Sequence, residues 1–386
     1  MKKDILFVTY NWSKMGGVQK RAMILEQSFS KFYNTKYIFL NKYLANKNNK
    51  KDLLSTIFSY RKLLKEYKII ITFSTLPSLI SLFSNAYHIT VITGSSLHYK
   101  DSSILSRLYW SLILEPLIYI FSNKIVPAAP HLIPFYIKKT YFIKKVNFIN
   151  GLIDINQIDN KSCDHNIIKN LPPPKQLRRY ICLSSAIIKQ KGIIEFLEIY
   201  SKYKVIMQDR ALNLIIIGEG PLLKDCFELC KNLKLKFEFN PLSKNKINSI
   251  SNNIIFTGHL DDPFSVIKNC RLFIMPSFYE GLSNQLLEAI YSGIPIIASD
   301  CPGNKFVYTE ICNDNFTYIK SNFLKLLPAL NSKDNKEKWL KHLIDHTENF
   351  NVGKYKNGKK IIFKFSLENN FPKWNKLISD IFKEIK

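Results

Sequence analysis

The constraint that most narrows what this chain can fold into is an alternation. Short, strongly apolar runs recur, each followed by a turn and then a helical stretch, and the series is played twice. Ile5 to Thr9 is the first run; it stops at Asn11-Trp12-Ser13-Lys14-Met15-Gly16-Gly17, and Val18 to Phe32 reads as a helix. Tyr37 to Leu40, Ile69 to Phe73, Ile89 to Ile92, Asn123 to Pro127 and Val146 to Ile149 read as further strands. Leu53 to Tyr67 is an amphipathic helix, with Leu53, Leu54, Ile57, Leu63 and Leu64 apolar among lysines and Arg61. Strands alternating with helices argue for an α/β chain whose parallel sheets are covered on both faces.

Around Asn160 the texture changes. Lys161 to Arg179 contains Cys163-Asp164-His165, Pro172-Pro173-Pro174 and a basic cluster without periodicity. A proline triplet favours an extended, semi-rigid connector, so the domain boundary is expected here. Tyr180 to Ser184, Leu212 to Ile217, Ile254 to Thr257, Leu272 to Met275 and Pro295 to Ala298 then form a second set of strands. The expected organisation is a first domain over 1–165, a linker over 166–179, a second domain over 180–365, and a helical segment over 366–386 that packs back on the first. Two such units place a cleft between them, and ligands of such sheets bind outside the carboxyl ends of the strands.

Composition removes several alternatives. With 46% hydrophobic residues the chain can bury a core, which excludes a wholly disordered protein. No uninterrupted apolar run reaches 18 residues. The closest, Leu108 to Val126, is broken by Glu115, Pro116, Ser122, Asn123 and Lys124, and reads as a buried helix followed by a strand. Met1 to Asp4 before Ile5-Leu6-Phe7-Val8 lacks a small-residue cleavage site and reads as the approach to a strand. Seven cysteines, with Cys226 and Cys230 one helical turn apart but no second pair, read as buried reduced thiols in a cytoplasmic protein. The 56 basic and 30 acidic side chains leave +26, which suits nucleic acid, an anionic membrane surface, or simply a Lys-rich composition.

The chemistry concentrates in Met275-Pro276-Ser277-Phe278-Tyr279-Glu280-Gly281-Leu282-Ser283-Asn284-Gln285-Leu286-Leu287-Glu288-Ala289. A strand ends at Pro276, a loop carries Glu280-Gly281, and a helix begins near Ser283. The backbone N–H groups at that helix start are a natural seat for phosphate. Glu288, within the helix, can accept from two vicinal hydroxyls such as those of a ribose. Taken singly, either glutamate is also what an ordinary helix start or helix face would carry.

Glu280 and Glu288 with seven residues between them, followed by Ala289 and Gly293-Ile294-Pro295-Ile296-Ile297-Ala298-Ser299-Asp300, resemble the donor-site signature of glycosyltransferase family 4. Leu214-Ile215-Ile216-Ile217-Gly218-Glu219-Gly220-Pro221, Ile255-Phe256-Thr257-Gly258 and Phe148-Ile149-Asn150-Gly151-Leu152-Ile153-Asp154 resemble other family segments in the expected order. The resemblance implies a GT-B fold, two Rossmann-like domains facing across a cleft, and a retaining, nucleotide-sugar-dependent enzyme. It implies that Glu280 orients the transferred sugar, and that Gly281, Leu282, Ser283, Asn284 and Glu288 hold the donor. Gly258 would border the nucleobase, Gly16 and Gly17 would lie across from the donor phosphates, Lys191 would neutralise the diphosphate, and His98 would approach the sugar. The arginine usual five positions before that lysine is here Ala186, so Lys189 or helix amides have to take its place.

The implied reaction needs no metal and no cofactor beyond the donor, since the chain shows no Asp-x-Asp in a matching context. The expected function is transfer of a hexose or N-acetylhexosamine from a UDP-sugar, or a GDP-sugar, to a lipid-linked saccharide in O-antigen, capsule or lipopolysaccharide assembly. Residues 1–160 hold 22 of the basic and 8 of the acidic residues, so charge is denser in the domain expected to receive the acceptor. Within it, Lys47 to Lys68 and Phe135 to Lys145 interleave bases with aromatics, as suits an anionic bilayer on the inner face of the cell membrane. Two alternatives belong to other classes: a basic nucleic-acid-binding protein, which would leave the glutamate pair unexplained, and a non-catalytic transferase-like partner subunit, suggested by Ala186.

Overall fold

The structure, a computed structural model, describes residues 3–10, 16–40, 59–82, 84–94, 103–133, 135–138, 141–161, 179–239, 254–312, 323–348 and 357–385. The chain divides into two compact units, Met1–Asp154 with Phe363–Lys386, and Ile155–Ile362.

The first unit is built on five parallel strands: β1 (Lys3–Thr9), β2 (Thr35–Phe39), β3 (Tyr67–Phe73), β4 (Tyr87–Ile92) and β5 (Lys124–Pro127), in the order β2-β1-β3-β4-β5. Ile5, Leu6, Phe7 and Val8 are all fully buried, which a strand achieves only when both faces of its sheet are covered. Because successive side chains point to opposite faces, Ile5, Phe7, Ile69 and Ile71 pack with Ala22, Leu25 and Phe29 of the helix Gly17–Phe29. Leu6, Val8 and Ile70 meet Tyr60 and Leu64 on the other side. Each such buried side chain contributes about 1.5–3 kcal/mol. The first face is completed by the C-terminal helix Leu367–Glu384, whose Trp374, Leu377, Ile378 and Ile381 join the same cluster. Ser366 caps that helix by accepting from the Asn369 N–H at 3.1 Å.

The second unit holds seven parallel strands: β6 (Tyr180–Ser184), β7 (Asn213–Ile217), β8 (Phe237–Phe239), β9 (Ile254–Gly258), β10 (Leu272–Met275), β11 (Ile296–Ser299) and β12 (Leu324–Leu327), in the order β12-β11-β10-β6-β7-β9-β8. Ile181, Leu183, Leu214, Ile216, Phe256 and Ile274 pack against the helix Ile193–Met207 and against Trp339 and Leu343.

Several expectations need correction. The first boundary falls after Asp154 and not at 165, because Ile155 and Ile158 are buried and Asp159 bonds to Tyr291 and Lys359 of the second unit. Val146 to Ile149 is no strand: only a single bridge joins Val146 to Ile125. The helix expected up to Tyr67 gives way after 64, and Tyr67 opens β3. β8 and β12 escape detection because Glu238 and Lys325 interrupt them, which the two edge positions of the sheet tolerate.

The helix expected to be buried is largely exposed. Among the described residues, Ile104–Phe121 is the one helix long and apolar enough to cross a membrane, by length and composition, and 22% of it is buried. The expected linker residues 166–178, His98, and the first part of the basic segment beginning at Lys47 lie outside the described residues.

Candidate functional site

In a doubly wound parallel sheet a crevice opens where the strand order reverses, because neighbouring loops there leave in opposite directions. In the second unit the chain goes from β6 to β7, then to β8 at the edge and back to β9 on one side, and from β10 through β11 to β12 on the other. The segments that follow β6 and β10, residues 185–192 and 276–283, therefore frame the reversal point.

The two segments are locked together. Gly192 takes φ +65°, and a Cβ there would sit 2.3 Å from the Pro276 carbonyl oxygen, so only glycine fits. The Gln190 carbonyl oxygen accepts from the Phe278 N–H at 2.8 Å, and its side-chain Nε2 donates to the Tyr279 carbonyl oxygen at 2.8 Å. Lys191 is thereby delivered to Glu280. Its Nζ donates to both carboxylate oxygens at 2.8 Å, and Ser277 Oγ donates to Oε1 at 2.7 Å. Glu280 is only 6% exposed, so removing either cationic or hydroxyl partner leaves a buried carboxylate undersupplied. Behind it, burial pushes the Cys301 thiol up to about 12, with the charge of Glu280 adding to the shift.

The helix Asn284–Ser292 starts immediately after this loop. Ser283 is its N-cap, with Oγ accepting from the Leu286 N–H at 3.3 Å, while Leu282 is buried beneath. The amides at the helix start, with the positive end of its dipole, favour an anion. Glu288 lies four residues beyond Asn284 on the same, partly exposed face. After β7 and β9 the backbones also close on each other. Gly218, at φ +138°, donates its N–H to the Gly258 carbonyl oxygen at 2.8 Å, and a Cβ on Gly218 would meet the Ser185 carbonyl oxygen at 1.9 Å. Glu219 Oε1 accepts from the His259 N–H at 3.1 Å and fixes the turn beyond Gly258.

The first unit reverses between β1 and β3. Gly16 caps the helix Gly17–Phe29 in an extended conformation, and its N–H donates to Gln19 Oε1 at 3.1 Å. Gln19 also donates to the Tyr10 carbonyl oxygen, so this one side chain closes the loop from both ends. After β3, Ser74 adopts φ +75°, a conformation that costs a non-glycine residue about 1–3 kcal/mol. It is braced by Ser78, whose Oγ donates to the Ser74 carbonyl oxygen at 2.8 Å. Beneath lies a buried hydroxyl chain: Thr72 Oγ1 bonds Ser78 Oγ at 2.8 Å and His88 Nε2 at 2.9 Å. Burial pushes the His88 imidazole down to about 3, so it is neutral near pH 7.

Of the sequence-derived residues, the structure brings Lys191 and Glu280 into direct contact and sets Gly281, Leu282, Ser283, Asn284 and Glu288 on one loop and helix. Gly258 stands at the end of β9, which β7 separates from β6, and Gly16 and Gly17 belong to the first unit. Ala186 and Lys189 are both exposed on the segment that carries Lys191. Sequence reasoning missed Ser277, Gln190, Glu219 as a brace, and Ser74. Ser277 could have been found, since it sits inside the quoted motif three residues before Glu280. Nothing in the sequence marks Gln190 or Ser74. Among the described residues no group of three or more His, Cys, Asp or Glu side chains converges. Cys226 and Cys230 are buried, and burial pushes both thiols up to about 12.

Residues 178–317 match the family model described as glycosyl transferases group 1. The chain is 25% identical over 242 residues to the O-antigen biosynthesis glycosyltransferase WclY of Escherichia coli, covering 59% of this chain and 60% of that protein. The chain thus matches less than two thirds of that relative's length. Among solved structures it resembles the apo form of the lipopolysaccharide outer core galactosyltransferase WaaB, with a TM-score of 0.60 and 16% identity over 98% of this chain and 99% of that one. It also resembles Anabaena HepE in complex with UDP-glucose, with a TM-score of 0.65 and 14% identity over 99% and 100% of the two chains. At such identities the likeness establishes the fold, two parallel-sheet α/β units of the GT-B kind.

Proposed function

From a GT-B fold whose second unit carries a group 1 transferase domain, we propose that this protein is a glycosyltransferase of bacterial surface-polysaccharide assembly. It moves a hexose or N-acetylhexosamine, with retention, from a UDP-sugar, GDP being the alternative nucleotide, to a lipid-linked saccharide. It works at an anionic membrane surface, on the cytoplasmic side. The observation that carries this reading is the Lys191–Glu280–Ser277 cluster at the reversal point of the second sheet, inside the matched domain and beside a helix N-terminus.

Sugar transfer of this type develops negative charge on the departing diphosphate and positive, oxocarbenium-like character on the sugar. Lys191 and the amides at Asn284 and Gln285 meet the diphosphate. Glu280 holds Lys191 in place, and its Oε2, which among the described residues accepts from Lys191 alone, has a lone pair left for a sugar hydroxyl. Glu288 accepts from the ribose, and the Gly258–His259 turn borders the base.

A donor screen that measures nucleotide release, with membrane extract as acceptor, tests the reading. Glu288→Ala and Lys191→Ala should each lower release by about 100-fold or more while the protein remains folded. Normal turnover in both variants would remove the site assignment. Calorimetry with UDP and GDP adds a second arm: one nucleotide should bind, whereas tight, salt-sensitive binding to DNA or RNA with neither nucleotide bound would replace the transferase reading.

A further inference from the structure

The helix Ile104–Phe121 is built inside out. Its outward face carries Ile104, Leu105, Leu108, Leu112, Ile113 and Leu117, all well exposed, with Leu105 at 80%. Its inward side carries the polar residues: Ser111 and Glu115 are both buried, and Arg107 is half-buried. A helix on a water-facing surface has the opposite arrangement. A π-helical turn spans Trp110–Leu114, and Arg107, Ser111 and Glu115 follow one another at intervals of four residues on the inward side.

The helix is anchored to the unit through its C-terminal half, which packs on the helix Thr75–Ser81. Ile118 and Tyr119 are buried, and Ser122, just beyond the helix, bonds through Oγ to Thr90 at 2.7 Å. The next residues enter β5 directly. Lys145 Nζ donates to the Ile120 and Ser122 carbonyl oxygens at 2.7 and 3.0 Å, which brings Ile143 and Lys144, both exposed, to the same end of the helix.

We infer that the outward face of Ile104–Phe121 is a membrane-docking surface, lying in the plane of the bilayer interface with anionic phospholipid around its basic end. Charge argues for this occupant over a second copy of the chain. The only acidic residue of the helix, Glu115, is turned inward at 4% exposure, and two chains of +26 repel each other while each is drawn to an anionic surface. The inference sharpens the membrane part of the proposed function, and it stands or falls apart from sugar transfer.

Co-sedimentation of the full chain with phosphatidylcholine vesicles, with and without phosphatidylglycerol, tests it. The wild type should bind the mixed vesicles, less as salt rises. Leu105→Glu with Leu112→Glu should weaken binding at least about tenfold, because two apolar anchors are lost and two anionic groups are gained. Val205→Glu, at a position 74% exposed in the second unit, should bind as the wild type. Should the double glutamate variant fail to fold, as judged by circular dichroism, Leu105→Ser with Leu112→Ser replaces it. Undiminished binding by the helix variant, or equal loss in Val205→Glu, overturns the inference. So does a wild-type dimer, seen by sedimentation velocity, that the helix variant turns into monomers without any vesicle binding. Nucleotide release in free solution reports on the transferase reading separately, since the helix variant should leave it unchanged.

Discussion

The two units share one architecture, an all-parallel sheet that reverses order near its centre, yet they use their loops and surfaces differently. In the second, the loops at the reversal point are clamped by backbone bonds and glycine contacts around a buried ion pair. In the first, the corresponding loop ends are held by side chains, Gln19 and the Ser78–Thr72–His88 chain, and the outer surface carries an apolar helix face. The lesson is that rigidity at a polar site comes from backbone closure, which few residues can satisfy. Side-chain closure tolerates more substitution and leaves room for the unit to change.

The sharpest way to break this contrast is to cut the ion pair. Glu280→Ala or Lys191→Met alone should destabilise by about 3–5 kcal/mol, because each leaves a buried charge without its partner. The pair Glu280→Ala with Lys191→Met should be more stable than the sum of the single changes predicts by about 1–3 kcal/mol, with no return of activity. Urea melts paired with nucleotide-release assays check this; simple additivity would mean the pair contributes nothing as a unit.

Next in size is a matched glycine test. Gly192→Ala meets a backbone oxygen at a positive φ and should cost about 2–4 kcal/mol, seen as a lowered melting temperature. Gly16→Ala meets only the movable Gln19 Oε1 at 3.0 Å and should cost under about 1 kcal/mol. Equal costs would erase the distinction between the two kinds of closure.

Acid should find the first unit through His88. Its folded value, about 3, lies below the ordinary imidazole value of 6.5, so the unfolded chain takes up the proton first. The stability from a neutral His88 is complete above pH 6.5 and is lost as pH falls from there toward 3. The slope is about 1.4 kcal/mol per pH unit, or about 2 kcal/mol by pH 5. His88→Gln should flatten that slope in melts between pH 7 and pH 5. His346 in the second unit is pushed down to about 4 by burial and the nearby Arg271, so its share of the loss ends at a higher pH. The smallest effect concerns the missing cation: Ala186→Arg, at an exposed position, should tighten UDP binding about tenfold in calorimetry by adding a charge-assisted hydrogen bond.

Much of this was legible in the residues themselves. β6, β10 and the loop from Pro276 to Ser283 stand out because continuous apolar runs and glycine-bounded turns have few other uses, and Lys191 and Glu280 are both visible as candidates. Their contact is not visible, since the separation of 89 positions places it beyond any local rule. Edge strands with a central charge, such as Phe237–Phe239, were hidden for the opposite reason: their local pattern is weak and only pairing with β9 makes them strands.

The helix Ile104–Phe121 marks the limit most plainly. The sequence determined that it is a helix, that it is apolar, and that its only acid is Glu115. It also determined the two parallel sheets, since the alternation of apolar runs with helices leaves few other ways to bury both. Which face of the helix turns outward was decided by the tertiary structure alone. Hydrophobic patterning says how much apolar surface there is, but burial is a property of the neighbours that cover it. Here the neighbours cover Ser111 and Glu115 and leave Leu105 and Leu112 uncovered.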